Sequence, residues 1–233
     1  MPIYQDGYDI RCEWGEMGVS EVASRVENCV IVDTLSFSSC VDIAAARGCH
    51  LYPSRPGDTP DAFAASIGAE CAQKRGQGRY SLSPVSLADI PEGTRLVLPS
   101  PNGSTLTRKA TANRVYAGCL RNAHAVAQAL DGAAVIVPAG ERWPDGTIRP
   151  AIEDWIGAGA IISHCHGTKS PEARLAEAAF QAVADQLEAV LRDGASGQEL
   201  VSRGYAHDIA PCAALDVSEC VPELINGYYR SAP

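Results

Sequence analysis

Residues 28–33 read NCVIVD, and the chain runs on as TLSFSSCVDIAAARG to Gly48. The apolar run is unbroken rather than alternating, the pattern of a strand covered on both faces, and it ends in an acid. Ser38 or Ser39 can cap the helical text VDIAAAR, and Gly48 stops it. A strand, a polar loop and then a helix is the unit from which parallel sheets are assembled.

The same unit recurs outward from this stretch. CHLYP (49–53) predicts the next strand, and Thr59-Pro60-Asp61 predicts a helix cap with a first-turn proline and acid, running through Lys74. RLVL (95–98), VYAG (115–118) and AAVIVPAG (133–140) are further apolar runs, each followed by a polar loop and helical text. After Pro150 the pattern is helical: 151–165, an amphipathic stretch over 170–193, and a capping box at Ser196 and Glu199 that opens a helix ending at Gly204. VPELINGYYR (221–230) is expected to return as a strand or to bind an edge. The expectation is a single α/β unit over residues 1–233. Its sheet is mainly parallel and flanked by helices in three layers, with room for a subdivided sheet. The Gly-, Ser- and Pro-rich segment 76–93 is too long for a simple connector and is expected to approach the functional site.

Composition narrows the function classes. The chain has 233 residues, 46% hydrophobic and 20% charged, within the range of folded domains rather than disordered chains. Its 28 acidic against 19 basic residues, with no Lys or Arg run, argue against nucleic-acid and membrane partners. Lysine occurs only at 74, 109 and 169, so arginine carries most of the positive charge and suits two-pronged contacts to an oxyanion. No stretch reaches the roughly 18 apolar residues of a membrane span, and the first residues lack a secretory pattern. A cytoplasmic location is therefore expected. The nine cysteines are scattered without a C-x-x-C pair, and they read as reduced, buried small hydrophobes.

Four places carry candidate chemistry. Asp33 stands where open α/β sheets put ligands, beyond the carboxyl end of a strand, in a hydroxyl-rich loop that includes Ser36, Ser38 and Ser39. A haloacid-dehalogenase-type phosphatase would need a second Asp two residues later, where this chain has Leu35. Asn102, Gly103 and Ser104 lie between a strand and a helix, where backbone N–H groups can cradle a phosphate. Arg121 and Asn122 repeat that arrangement after the next strand. Glu153 and Asp154 are adjacent acids opening a helix, and hard oxygen ligands of this kind suit Mg2+. His164-Cys165-His166 lies at the end of helical text, where side chains two apart diverge, so it is a weak metal motif. Gly157-Ala158-Gly159 lacks the third glycine and the preceding strand of a dinucleotide loop. Taken alone, these residues leave open a phosphatase, a metal-dependent hydrolase of another substrate, and a non-catalytic binder of small anions.

VIVDTLSFSSCVDIAAARG, LPSPNGSTL, AGCLRNAHAVA, PAGERWPDGTIRPAIEDWIGAGAI and GYAHDIAPCAALDVSECVPEL together, in order, resemble the 2-phosphosulfolactate phosphatase family over about residues 28–224. The resemblance implies Mg2+-dependent hydrolysis of phosphate monoesters of 2-hydroxy carboxylic acids. The named reaction releases sulfolactate and phosphate in coenzyme M biosynthesis. It matches Asp33, Asn102-Gly103, Asn122, Glu153-Asp154 and Asp208. We expect Asp33 and Glu153 to be catalytic, and Asp33, Glu153 and Asp154 to hold Mg2+. Ser38, Asn102, Gly103, Ser104, Arg121, Asn122 and Asp208 are expected to contact a small anionic phosphomonoester. A phospho-aspartyl route through Asp33 stays open, and a homo-oligomer is compatible with the sequence. The chain departs from the family at Ser36, where many members carry Arg, and at Ser81-Leu82-Ser83-Pro84, where many carry Gly-Asn-Ser-Pro.

Overall fold

Asn28–Val32 forms a wholly buried strand, as its apolar continuity predicts. The computed structural model describes residues 2–232. Among these residues the strands are β1 (Ile10–Cys12), β2 (Asn28–Val32), β3 (His50–Ser54), β4 (Glu70–Cys71), β5 (Arg95–Pro99), β6 (Arg114–Gly118), β7 (Ala134–Pro138), β8 (Glu141–Arg142), β9 (Ile148–Arg149), β10 (Pro222–Ile225) and β11 (Tyr228–Ser231). β8 and β9 make a separate hairpin, and the others form one sheet in the order β1-β7-β2-β6-β10-β11-β3-β5-β4.

The sheet is subdivided into two parallel blocks, β1-β7-β2-β6 and β3-β5-β4. The carboxyl-terminal hairpin β10–β11 joins them by a single antiparallel pair on each side, Tyr116 with Glu223 and Leu51 with Tyr229. The carboxyl-terminal segment thus returns as the bridge between the blocks.

Alternating strand residues face opposite sides, and helices cover both. Val30, Val32, Ala134 and Ile136 share a core with Ile156, Ala158, Ala160 and Ile161 of helix Ile152–His164. On the other face, Cys29, Ile31, Val135 and Val137 pack with Leu106 of helix Gly103–Lys109. Helix Phe37–Ala45 lies between the blocks, its Phe37, Cys40, Val41 and Ala44 packed with Leu51, Leu96, Leu98, Ala117 and Tyr229. Ala64 of helix Pro60–Ile67 covers Tyr52 and Val97 on the far face of the second block. Each block therefore has the expected three layers. Full burial of a side chain such as Phe37 contributes about 1.5–3 kcal/mol.

The two glycines that resemble a dinucleotide loop are packing positions. A Cβ on Gly159 would lie 2.0 Å from the Ala176 carbonyl oxygen of helix Pro171–Gln181, and one on Gly157 would lie 2.6 Å from Thr34 Oγ1. Their absence lets helix Ile152–His164 sit close to its neighbouring helix and to the loop after β2.

Three predicted boundaries are corrected. The helix opened by Thr59 stops at Ile67 rather than Lys74, because Gly68 takes a left-handed cap (φ 63°) and Glu70–Cys71 pairs with β5. Residues 170–193 form two helices, Pro171–Gln181 and Leu187–Asp193, separated by a turn. Ser196 does not cap the next helix, which starts at Ala195. Its hydroxyl accepts a hydrogen bond from Arg149 instead. Among the described residues, no helix is long and apolar enough to cross a membrane.

Candidate active site

Asp33 follows β2 directly and is buried. Its carboxylate is held from both blocks of the sheet. Oδ1 accepts the Phe37 amide at 3.2 Å, and Oδ2 accepts the Gly103 amide at 2.8 Å and the Ser100 hydroxyl at 3.5 Å. Phe37 and Gly103 are the first residues of their helices, so one acid satisfies a free N–H at each of two helix starts. The Ser38 hydroxyl accepts the Asp33 amide at 3.0 Å and donates to the Ile31 carbonyl, while Ser39 donates to the Thr34 carbonyl. Both serines fasten the loop to its strand rather than capping the helix.

The acids of helix Ile152–His164 reach the same place with different fixings. Asp154 Oδ1 accepts the Thr34 amide at 2.7 Å, and Oδ2 accepts the Gly140 amide at 2.9 Å. The Thr34 hydroxyl donates to the Glu153 carbonyl at 3.1 Å. The Glu153 carboxylate, on a residue only 3% exposed, accepts no hydrogen bond from the described residues. Successive helical residues point about 100° apart, and here one acid braces the loops while the other stays unpartnered. A fourth carboxylate, Glu141 on β8, accepts from the Asn102 side chain at 3.0 Å.

These groups perturb one another. Burial pushes the Asp33 carboxyl above its ordinary pKa, opposed by the Gly103 and Phe37 amides and reinforced by Glu153. Asp154 is pushed well up by burial and by the charges of Glu153 and Asp33. Glu141 is raised by burial and by Asp33. No Lys or Arg among the described residues forms a hydrogen bond or ion pair with any of the four. As the side chains stand, no three His, Cys, Asp or Glu among the described residues lie close enough to hold a metal ion. The donor set still suits a hard divalent cation: clustered carboxylates, one of which accepts no hydrogen bond from the described residues, with Arg149 acting on Glu141 through its charge alone. A cavity of about 360 Å3 lies beside Asn102 and Glu141, with Trp14 and Arg142 also in its lining. Trp14 stacks on Trp155, with ring centroids 5.0 Å apart.

The sequence profile of the 2-phosphosulpholactate phosphatase family matches residues 19–227. The chain belongs to this family. Among relatives named probable 2-phosphosulfolactate phosphatase, that of Pseudothermotoga lettingae is 27% identical over 223 residues, covering 91% of this chain and 96% of the relative. That of Carboxydothermus hydrogenoformans is 30% identical over 208 residues, covering 83% and 84%. That of Caldanaerobacter subterraneus subsp. tengcongensis is 27% identical over 229 residues, covering 89% and 92%.

Within this family member the structure gathers Asp33, Asn102, Gly103, Glu153 and Asp154, but the other predicted contacts are engaged elsewhere. Arg121 donates to Asp42 and to the Pro211 carbonyl, each at 2.8 Å. Asn122 is wholly buried, its carbonyl accepting the Cys119 amide and its NH2 donating to the carbonyls of Ala117 and Cys220. Ser104 donates to the Leu98 carbonyl. His164 pairs with Asp216, whereas Cys165 is buried. Asp208 lies beside the Asp33 loop through Arg75, whose Nε donates to Asp208 at 3.0 Å and whose Nη2 donates to Ser36 at 2.9 Å. Ser83, in the long segment 76–93, donates to the other Asp208 oxygen.

Sequence reasoning missed Glu141 and Arg75. Glu141 carries the same signal as Asp33, an acid just past a buried strand run. Arg75 has no local signal, because its partners come from positions 36, 208 and 205.

Proposed function

We infer that this chain is a Mg2+-dependent phosphatase that hydrolyses the phosphate monoester of a small 2-hydroxy acid. The observation that carries the reading is the Glu153 carboxylate, on a nearly buried residue beside three other acids, which accepts no hydrogen bond from the described residues. Asp33 and Glu153, with Asp154 behind them, are the residues that would hold the cation. The chemistry supplied by bound Mg2+ is neutralisation of phosphoryl charge and a lower pKa for the attacking water.

The protein's own groups set the geometry. The Phe37 and Gly103 amides fix both oxygens of Asp33, which in this reading faces the phosphate ester. Asp154, held by the Thr34 and Gly140 amides, ties the loop after β2 to the turn that carries Glu141. Glu153 is the group free to take a proton from the attacking water or to face the cation. Asn102, oriented by Glu141, offers its remaining N–H to a phosphoryl oxygen. The Gly103 amide is assigned to Asp33 rather than to phosphate, which changes its role from cradle to brace. We also place the protein in the cytoplasm, where its nine free thiols stay reduced.

The test is release of inorganic phosphate from a panel of phosphomonoesters, with Mg2+ and with EDTA. Mg2+-dependent release that is strongest for 2-hydroxy acid esters is expected. No release from any ester in excess Mg2+ overturns the reading.

A further inference from the structure

Resting on the phosphatase reading, we propose that Arg75 binds a second anionic group of the substrate, a carboxylate or sulfonate beside the phosphate ester, and so determines which esters are accepted. Its guanidinium is locked from several sides. Nε donates to Asp208, which is wholly buried, and Nη2 donates to Ser36. The far oxygen of Asp208 accepts from Ser83. Tyr205 donates its hydroxyl to the Arg75 carbonyl at 3.2 Å, and its ring centre lies 5.7 Å from the guanidinium carbon.

A guanidinium has five N–H donors, and these contacts use one on Nε and one on Nη2. Nη1 has no partner among the described residues. An arginine held in one orientation with an open edge is prepared for two-pronged contact to an oxyanion, because little freedom is lost on binding.

Arg75 also lies at the right place. It lines a cavity of about 780 Å3 together with Asp61, Lys74, Pro99, Arg203 and Tyr205. Pro99 precedes Ser100, whose hydroxyl donates to Asp33, and Ser36 follows Asp33 by three positions in the same loop. Arg75 is thus tied through Ser36 to the loop that carries Asp33, and a phosphate ester at Asp33 would extend its acid arm along that loop toward Arg75. The volume is that of a site for a ligand of many atoms, so the pocket admits acids longer than three carbons. Lys74 and Arg203 add positive charge at its wall.

The experiment compares 2-phospholactate with isopropyl phosphate, which has the same skeleton with a methyl group in place of the carboxylate. The kcat/KM ratio for the two esters is measured with Mg2+ in the wild type, Arg75→Lys, Arg75→Gln and the double variant Arg75→Gln/Asp208→Asn. The double variant leaves no unpaired buried acid and guards against misfolding of the single one. The wild-type ratio is expected to favour 2-phospholactate by at least about tenfold, chiefly through KM. It should fall at least about tenfold in both Gln variants, with Arg75→Lys between. No preference in the wild type, or a ratio unchanged in folded variants, overturns the proposal and leaves Arg75 a brace. Calorimetric titration of both esters in EDTA separates this from the phosphatase reading. If no protein releases phosphate, yet the wild type binds 2-phospholactate at least tenfold tighter than the double variant, the catalytic reading fails and the Arg75 assignment stands. Equal or absent binding there overturns it.

Discussion

Gly103, at the start of a helix that follows β5, donates its amide to Asp33, at the end of β2, across 70 positions of sequence and between the two parallel blocks of the sheet. The bond sets the carboxylate proposed to act in catalysis and also the approach of the two helix starts. A Cβ on Gly103 would lie 2.2 Å from the Phe37 ring and 2.9 Å from Asp33 Oδ2. Gly103 is not among the positive-φ glycines, so its requirement is space rather than backbone freedom. Gly103→Ala is expected to cost about 1–3 kcal/mol through overpacking and to lower kcat by tenfold or more. Ser104→Ala should cost only about 1 kcal/mol, since it loses one hydrogen bond to the Leu98 carbonyl. Denaturant melts and phosphate release measure both; equal effects from the two variants would count against this account.

Asp33→Asn removes the charge and leaves a single acceptor oxygen where two amides and a hydroxyl now point. One of those donors then faces an NH2. Loss of at least about a hundredfold in kcat is expected, with a stability loss of about 1–3 kcal/mol for the orphaned amide. Activity within threefold of wild type would remove Asp33 from the mechanism.

Much of the fold was legible because its strands are short, unbroken apolar runs buried on both faces, and each run from residue 28 onward found its place. The halved sheet was legible only as room for a subdivision; what joins the halves was not, because the pairs between the blocks, Tyr116 with Glu223 and Leu51 with Tyr229, connect distant segments. The site divides in the same way. Asp33, Glu153 and Asp154 sit at element ends that sequence periodicity marks. Arg121 and Asn122 carry the same local text as a phosphate loop, and only their tertiary partners Asp42, Ala117 and Cys220 reveal that they are occupied. Arg75 was invisible for the converse reason. The neutral Ser36, which read as the loss of a cation, accepts a hydrogen bond from a cation supplied by another loop.

Arg121 and Asp42 make a second test of occupancy. Asp42 is wholly buried and accepts from both Arg121 and Ser218. Arg121→Met strands that acid and should destabilise the protein by about 3–5 kcal/mol, whereas Arg121→Met/Asp42→Leu should recover most of the loss. Thermal melts compare the two. A tenfold rise in KM for the phosphate ester in the stable double variant would instead return Arg121 to the substrate.

Asp33, Glu141 and Asp154 all have raised pKa values, so they hold their protons more tightly folded than unfolded. Their contribution to stability is complete below the unfolded value, roughly 4, and is lost as pH rises through the raised folded values. In EDTA, stability should therefore fall with rising pH more steeply in the wild type than in Asp154→Asn. Mg2+ should restore more stability at pH 8 than at pH 5, because it binds the deprotonated acids. Urea melts across this range decide; identical slopes in the two proteins would sink the prediction.

Glu153 and Asp154 are neighbours in sequence but should respond oppositely to neutralisation. Asp154 anchors two backbone amides, so Asp154→Asn keeps one acceptor and opposes the other amide with an NH2, which lowers stability near pH 5, where charge repulsion is least. Glu153 accepts no hydrogen bond from the described residues and adds its charge to those of Asp33 and Asp154. Glu153→Gln removes that repulsion without orphaning a donor, so metal-free protein at pH 8 should melt at a higher temperature than wild type. The same change deletes the one carboxylate free to face a cation or a water, and kcat should fall at least about a hundredfold. Stability kept at the expense of function is the mark of a site held in a strained electrostatic state. Thermal melts in EDTA and in Mg2+, with phosphate release on the same samples, give the comparison. The stabilising effect of Mg2+ should be strongly reduced in Glu153→Gln. A variant that melts lower than wild type in EDTA and keeps its Mg2+ response would place Glu153 among the structural acids instead.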